Sequence, residues 1–370
     1  MKVIIDKNIP YIKGVLEPWS RVEYYEGSRI NNELLRDSDA LIVRTRTRCD
    51  KNLLHGTNVK FIGTATIGTD HIDLGWCMQN RIKYASAPGC NSGSVMQYLA
   101  SALVYLILKY NIDPVSTTLG IVGVGNVGSK VARMAEVLGF NVILNDPPRE
   151  KIEGSLGFSP LNSLLKNSDI VTIHVPLTFK GPDRTYQLVN ENFIKQMKDR
   201  AILINTSRGQ VADERSIMTG LSKNTIKAAV LDVWRNEPDI NYRLLEVAAL
   251  GTAHIAGYSV DGKTNGVMMV IRQLSEYFNL PLDDWEPETL PEPHENLIDI
   301  SKFPGTDLEV LCRAIYHTYS IENDSRSLKE NPSMFENIRN EYPPRREFHA
   351  YMVKGDNIEL INKLKQLGFG

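Results

Sequence analysis

The clearest chemical signature in this 370-residue chain is Gly123-Val124-Gly125-Asn126-Val127-Gly128. In a G-x-G-x-x-G turn the first glycine permits a tight bend, the second lets a diphosphate approach the backbone, and the third lets helix and strand pack closely. So short a pattern recurs by chance, so its neighbours decide what it means. An apolar run at 118–122 precedes it and a helical pattern at 129–138 follows, the order strand, turn, helix. A helix starting there turns N–H donors and a positive dipole end toward phosphate oxygens. Asp146 ends the next apolar run, about 20 residues on, where a carboxylate accepts from both ribose hydroxyls. The set reads as a dinucleotide site that prefers NAD to NADP, because Asp146 repels a 2′-phosphate. Arg149 is the neighbour that would offset this by pairing with that phosphate.

Three later segments also end apolar runs. They are Asn205-Thr206-Ser207-Arg208-Gly209, then Asp232 through Glu237-Pro238, then Gly251 through His254 to Gly257-Tyr258. Ligands of open α/β sheets bind beyond the carboxyl ends of strands, which would bring Arg208, Glu237 and His254 to one site. Taken singly, each has an ordinary reading: a surface cation, an exposed acid, a satisfied buried histidine. Their joint occurrence after a nucleotide-binding pattern favours chemistry.

The elements that must position these groups follow from the hydrophobic pattern. Short β-branched runs at 2–6, 21–25, 40–43, 60–63 and 83–85 form one series. Runs at 118–122, 141–145, 169–174, 201–205 and 228–232 form a second, with helical patterns at 129–138, 191–197 and 213–221 between them. Two such series predict two doubly wound α/β domains with parallel sheets. Helical patterns at 93–110 and 263–279 mark the joins, and crossing helices there would leave a cleft for a small ligand. Pro281, Pro287, Pro291 and Pro293 then mark a linker-like stretch. Beyond it lie a helix pattern at 307–319, a strand-like 347–353 and an amphipathic helix at 357–367. This tail is predicted to be an appended module of roughly 80 residues. The boundaries are residues 1–92 with 258–286, residues 93–257, and residues 287–370.

Composition narrows the partners. With 42 Lys+Arg against 44 Asp+Glu, the chain has no general attraction to nucleic acid or anionic membranes. The apolar stretch at 95–108 is too short to span a bilayer. Four scattered cysteines, Cys49, Cys77, Cys90 and Cys312, lack ligand spacing and fit a reducing, cytoplasmic setting. His71 and Asp73 have metal-pair spacing with no third ligand, so no metal is expected. Cys90 has no adjacent base and reads as structural. Arg44, Arg46 and Arg48 alternate with threonines, and an extended segment would place all three on one face as an anion site.

The chain resembles the D-2-hydroxyacid dehydrogenase family. The likeness runs through Ala65-Thr66-Ile67-Gly68-Thr69-Asp70-His71-Ile72-Asp73, Ala87-Pro88-Gly89-Cys90-Asn91 and Gly181-Pro182-Asp183-Arg184-Thr185-Tyr186. It continues through His254-Ile255-Ala256-Gly257-Tyr258-Ser259 and Asp261-Gly262-Lys263, and spans roughly residues 1–280. The resemblance implies an α/β fold of a flavodoxin-like substrate domain and a Rossmann NAD domain, plus a small C-terminal α+β dimerisation domain. The implied partners are a small phosphorylated 2-hydroxy acid and a second copy of the chain, as a homodimer. In the implied roles His254 is the acid/base, Glu237 its partner and Arg208 the cation that orients substrate. Gly123, Gly125, Asn126, Val127, Gly128, Asp146, Val175, Thr206, Ser207, Arg208, Asp232 and Gly257 would line the cofactor. Thr45, Thr66 and Tyr258 would meet substrate, with Arg44 or Arg46 supplying charge for its phosphate. Thr45 stands where a serine is usual and keeps the hydroxyl; Ala253 stands where proline often precedes the histidine. The implied reaction is NAD-dependent oxidation of a phosphorylated D-2-hydroxy acid. Phosphoglycerate or glycerate as substrate, and a non-catalytic NAD sensor on this scaffold, are the alternatives.

Overall fold

Short strands rich in Val, Ile and Leu, alternating with helices, form two all-parallel sheets in the computed structural model, which describes residues 1–370. The chain divides into two units, Met1–Asn91 with Ser259–Pro291, and Ser92–Tyr258 with Glu292–Gly370.

In the first unit, β1 (Lys2–Asp6), β2 (Arg21–Tyr25), β3 (Ala40–Val43), β4 (Phe61–Thr64) and β5 (Lys83–Ala85) line up in the order β2-β1-β3-β4-β5. This is the 2-1-3-4-5 order of flavodoxin-like sheets. Alternate residues feed two cores. Val3, Ile5, Ile42 and Phe61 pack with Val267, Val270, Ile271 and Leu274 of the helix Val260–Phe278. Ile4, Leu41, Val43 and Ile62 pack with Leu35, Leu53, Leu54 and Cys77. Burial on both faces explains why these strands read as continuous apolar runs. The helix Val260–Phe278 starts earlier than its apolar pattern because the Ser259 hydroxyl accepts from the Gly262 N–H as its cap.

In the second unit, β6 (Thr118–Val122), β7 (Asn141–Asn145), β8 (Ile170–Ile173), β9 (Ala201–Asn205), β10 (Ile226–Leu231) and β11 (Leu250–Gly251) take the order β11-β10-β9-β8-β6-β7. The order reverses at β6, which puts the switch point, the usual ligand crevice, between β6 and β8. Only β7 lies on the far side of β6, where the 3-2-1-4-5-6 dinucleotide sheet carries two strands.

Residues 292–370 group with this second unit. Their two strands, β12 (Leu297–Asp299) and β13 (Met352–Lys354), pair in parallel. The strand expected at 347–353 is shorter: Phe348–Ala350 is a 3-10 turn, drawn inward as Phe348 stacks on Phe369 at 4.5 Å. A helix at Ile321–Glu330 has no counterpart in the sequence reading, because only Ile321, Ser325 and Leu328 of it are buried. The amphipathic helix Ile358–Leu367 buries Leu360, Leu364 and Leu367 against the helix Asn126–Val137 of the same unit. Its apolar face is therefore covered within the chain, and burying it requires no second copy. The four cysteines are buried free thiols, and no helix is long and apolar enough to cross a membrane.

Candidate active site

The glycine turn after β6 is built by close approach. Gly123 has φ +91°, and a Cβ there would lie 2.7 Å from the His174 carbonyl oxygen and 2.9 Å from Val175 Cγ1. This places Val175 against the turn. A Cβ on Gly128 would lie 2.0 Å from the Gly123 carbonyl oxygen, so the helix Asn126–Val137 can start only against a bare backbone. At Gly125 a Cβ would meet nothing within 4 Å, and that residue gives the helix no side-chain cap. An uncapped helix N-terminus facing open space fits a diphosphate.

Asp146 directly follows β7 and caps the helix Pro147–Glu153. Its Oδ1 accepts from the Arg149 N–H at 3.0 Å and its Oδ2 from the Val124 N–H at 2.7 Å. A carboxylate has about four acceptor sites, so two remain for a ribose diol. Arg149 is held elsewhere. Its Nε and Nη2 fork onto Glu153 at 2.7 Å each, Nη1 donates to the Val124 carbonyl, and the guanidinium lies over Phe158. The residues present fit NAD.

Beyond β9, Asn205 braces the next loop. Its Oδ1 accepts from the Ser207 N–H and hydroxyl, and its Nδ2 donates to the Arg208 carbonyl. A Cβ on Gly209 would lie 2.0 Å from the Trp234 carbonyl carbon. Arg208 thus starts beside the loop after β10, which carries Glu237. There Glu237 Oε1 accepts from the Trp234 N–H at 2.9 Å, and Oε2 lies 2.7 Å from His254 Nδ1. Burial pushes the Glu237 carboxyl up, but the His254 hydrogen bond and charge, the Trp234 N–H and Arg339 outweigh it and leave it below its ordinary value. The arrangement suits a histidine oriented by a carboxylate for proton transfer.

Asp232 braces the chain near the expected cofactor site. Its Oδ1 accepts from the Thr252 hydroxyl and the Ile255 N–H, and its Oδ2 from the Ala256 N–H. These bonds hold the segment leading to Gly257 and Tyr258. Sequence reasoning missed His174, at the end of β8, whose ring sits between the Thr172 and Thr206 hydroxyls at 3.0 and 3.4 Å. The signal for it was present: it ends an apolar run next to Val175.

The first unit holds the remaining candidates at the carboxyl ends of β3 and β4. Arg44 Nη1 donates to the Asn8 carbonyl, Thr45 and Arg46 are exposed, and the Thr66 hydroxyl bonds that of Thr64 at 2.8 Å. Arg44, Arg46 and Arg48 do not line one extended face. Residues 45–47 form a turn, tied down where the Thr47 hydroxyl donates to the Gly27 carbonyl, and Arg48 pairs with Asp50. Asp73 caps the helix Leu74–Gln79.

Residues 109–256 match the model of the D-isomer specific 2-hydroxyacid dehydrogenase, NAD binding domain, and residues 289–368 match a domain of unknown function (DUF3410). The chain is 45% identical to an erythronate-4-phosphate dehydrogenase of Bacteroides fragilis over 95% of its own length and 99% of that protein. It is 38% identical to one from Porphyromonas gingivalis over the full length of both. A D-lactate dehydrogenase structure from Aquifex aeolicus, complexed with NAD and lactic acid, has a TM-score of 0.63 at 24% identity, over 75% of this chain and 96% of that one. At that identity the likeness shows the fold alone. From the full-length identity and the NAD-binding domain, the chain belongs to the erythronate-4-phosphate dehydrogenase family, a branch of the D-2-hydroxyacid dehydrogenases.

Proposed function

We propose that the chain oxidises 4-phospho-D-erythronate to 3-hydroxy-2-oxo-4-phosphooxybutanoate, a step of pyridoxal phosphate biosynthesis, in the cytoplasm. The observation that carries the reading is the His254–Glu237 pair, 2.7 Å apart beyond the sheet of an NAD-binding domain. NAD, when bound, supplies the hydride acceptor. With His254 Nδ1–H donating to Glu237, Nε2 is left as the basic nitrogen. It takes the C2 hydroxyl proton as the C2 hydrogen leaves with its electron pair and the C2–oxygen double bond forms. Arg208 orients the substrate carboxylate and polarises the C2 oxygen through its fork of donors. Gly123, Gly125, Asn126, Val127 and Gly128 hold the diphosphate, Asp146 the ribose, and Val175, Thr206, Ser207 and Gly257 the nicotinamide side. Thr45, Thr66 and Tyr258, with Arg44 or Arg46, hold the substrate phosphate.

Charge-assisted hydrogen bonds are about twice as strong as neutral ones, so the phosphate contributes much of the specificity. Unphosphorylated erythronate is expected to lose at least about a hundredfold in kcat/KM, or roughly 2.7 kcal/mol. Arg44→Ala and Arg46→Ala, assayed separately, identify the cation by lowering activity on the phosphorylated acid far more than on the bare one. Comparable kcat/KM for the two acids, or a preference for 3-phosphoglycerate, would refute the substrate. We further propose a homodimer through the tail. Leu297 and Met352, register partners in its small sheet, are 51% and 55% exposed, and such apolar surface suits a partner. Leu297→Glu is expected to give a monomer by light scattering, and an intact dimer would move the interface elsewhere.

A further inference from the structure

His254 has φ +56°, a left-handed conformation that costs a non-glycine residue roughly 1 kcal/mol or more and persists where its surroundings impose it. Two groups grip the backbone just after it. On the N–H side is Asp232, 1% exposed, which accepts from Ile255 at 2.8 Å and Ala256 at 3.0 Å. On the carbonyl side is Arg345, which the C-terminal segment contributes. Its Nη2 donates to the Ala256 carbonyl at 2.6 Å and reaches the Ile255 and Ser94 carbonyls at 3.4 Å.

Arg345 is only 6% exposed, and its Nε and Nη1 have no hydrogen-bond partner in the protein. The guanidinium lies instead over the rings of Tyr319 and Tyr342, at 4.4 and 5.8 Å. Both phenols donate to Asp324 Oδ2 at 2.7 Å, which fixes the rings that cradle it. Burying a cation with unpaired donors is costly, and an apolar side chain would fill the same volume without that cost. What arginine adds here is a rigid donor aimed at the carbonyls that follow His254. The same segment also reaches Tyr258, whose ring meets Tyr342 edge-on and has Arg339 above it.

We propose that Arg345 is a positioning residue for the reaction. With Asp232 it clamps the 254–256 backbone from both sides, so that His254 keeps its left-handed φ and its ring stays on Glu237. The C-terminal domain is then a working part of the active site as well as a candidate assembly surface. The proposal rests on reading His254 as the acid/base.

The test uses full-length protein. Arg345→Lys keeps the charge but replaces the fork with one ammonium; Arg345→Met removes the donors at similar volume. Each is expected to lower kcat about ten- to hundredfold, the scale of a 1 Å misplacement. The NADH Kd should change far less than kcat, because the glycine turn and Asp146, which hold the diphosphate and ribose, are remote from Arg345 in the contacts it makes. A second readout needs no substrate: the Nδ1 proton resonance of His254 on Glu237, seen by NMR of histidine-labelled protein, should weaken in both variants. Gln97→Leu is the control. It removes bonds from the helix Ser92–Tyr110 to Thr318 and the Arg346 carbonyl, loosening the same packing without touching residues 254–256. It should lower Tm while leaving kcat and the resonance in place. Unchanged kcat and resonance in Arg345→Lys would overturn the proposal, as would Gln97→Leu lowering kcat as much as Arg345→Lys. If Arg345→Met does not fold, Arg345→Lys decides. If the unmodified enzyme ignores 4-phospho-D-erythronate, the substrate assignment fails while the resonance still decides the role of Arg345.

Discussion

Replacing Glu237 by Gln tests the proton-transfer assignment at its most constrained point. Glu237 satisfies two donors at once, the Trp234 backbone N–H at 2.9 Å and His254 Nδ1 at 2.7 Å. A glutamine amide has one acceptor oxygen and one donor group, so it cannot serve both. The backbone N–H cannot change character, whereas imidazole can change tautomer. The amide oxygen therefore goes to Trp234 and the amide N–H to Nδ1, which moves the ring proton to Nε2. That tautomer has no base facing the substrate hydroxyl. A hydrogen bond to a charged group contributes about 1.5–3 kcal/mol, which alone is roughly ten- to hundredfold. The enforced tautomer adds to this, and a comparable carboxylate-to-amide change beside a protease histidine costs about ten-thousandfold. Oxidation by Glu237→Gln should therefore fall about a hundredfold to ten-thousandfold in kcat, by the same reasoning. The NADH Kd from fluorescence titration should be unchanged, because no cofactor contact is altered. Glu237→Asp, which keeps both acceptors on a shorter stem, should recover part of the loss. A Glu237→Gln enzyme retaining kcat within about threefold would refute the tautomer argument.

Cofactor preference depends on what restrains Arg149. Asp146→Ser alone should gain little affinity for NADPH, because Glu153 still holds the guanidinium. Adding Glu153→Ala should free it and tighten NADPH about ten- to hundredfold, the worth of one charge-assisted bond; equal Kd values for the single and double variants would show that Arg149 cannot reach the 2′ position. Acid stability should depend on His174, whose ring burial pushes down to about 3. Its unfolded value is near 6.5, so its contribution is complete above that pH and is lost as pH falls toward the folded value. The loss at pH 5 should be roughly 1–2 kcal/mol, allowing for partial exposure of the residue. His174→Asn should flatten the change in urea midpoint between about pH 7 and 5, and an unaltered slope would assign the acid sensitivity elsewhere.

The alternation of strand and helix, the glycine turn with its acid, and the strand ends that carry Arg208, Glu237 and His254 are legible in the order of residues alone. These are local properties. Burial on both faces writes a strand as a continuous apolar run, and a backbone that must approach its neighbours within a van der Waals radius leaves only glycine at Gly123 and Gly128. Which donors meet which acceptors emerges only in the folded chain. In sequence Arg149 stands free to pair with a phosphate; in the fold its fork lies on Glu153, one helical turn away. The threonine-spaced arginines predict one extended face, but Thr47 bonds Gly27 and closes a turn there. The amphipathic pattern at 357–367 does not say what its apolar face meets, and Leu360, Leu364 and Leu367 are buried within the chain. Arg345 carried no signal at all, because its meaning lies in carbonyls about 90 residues away in sequence. A backbone carbonyl is the same group at every residue, so the pattern of side chains along the chain cannot show which ones a distant arginine will hold.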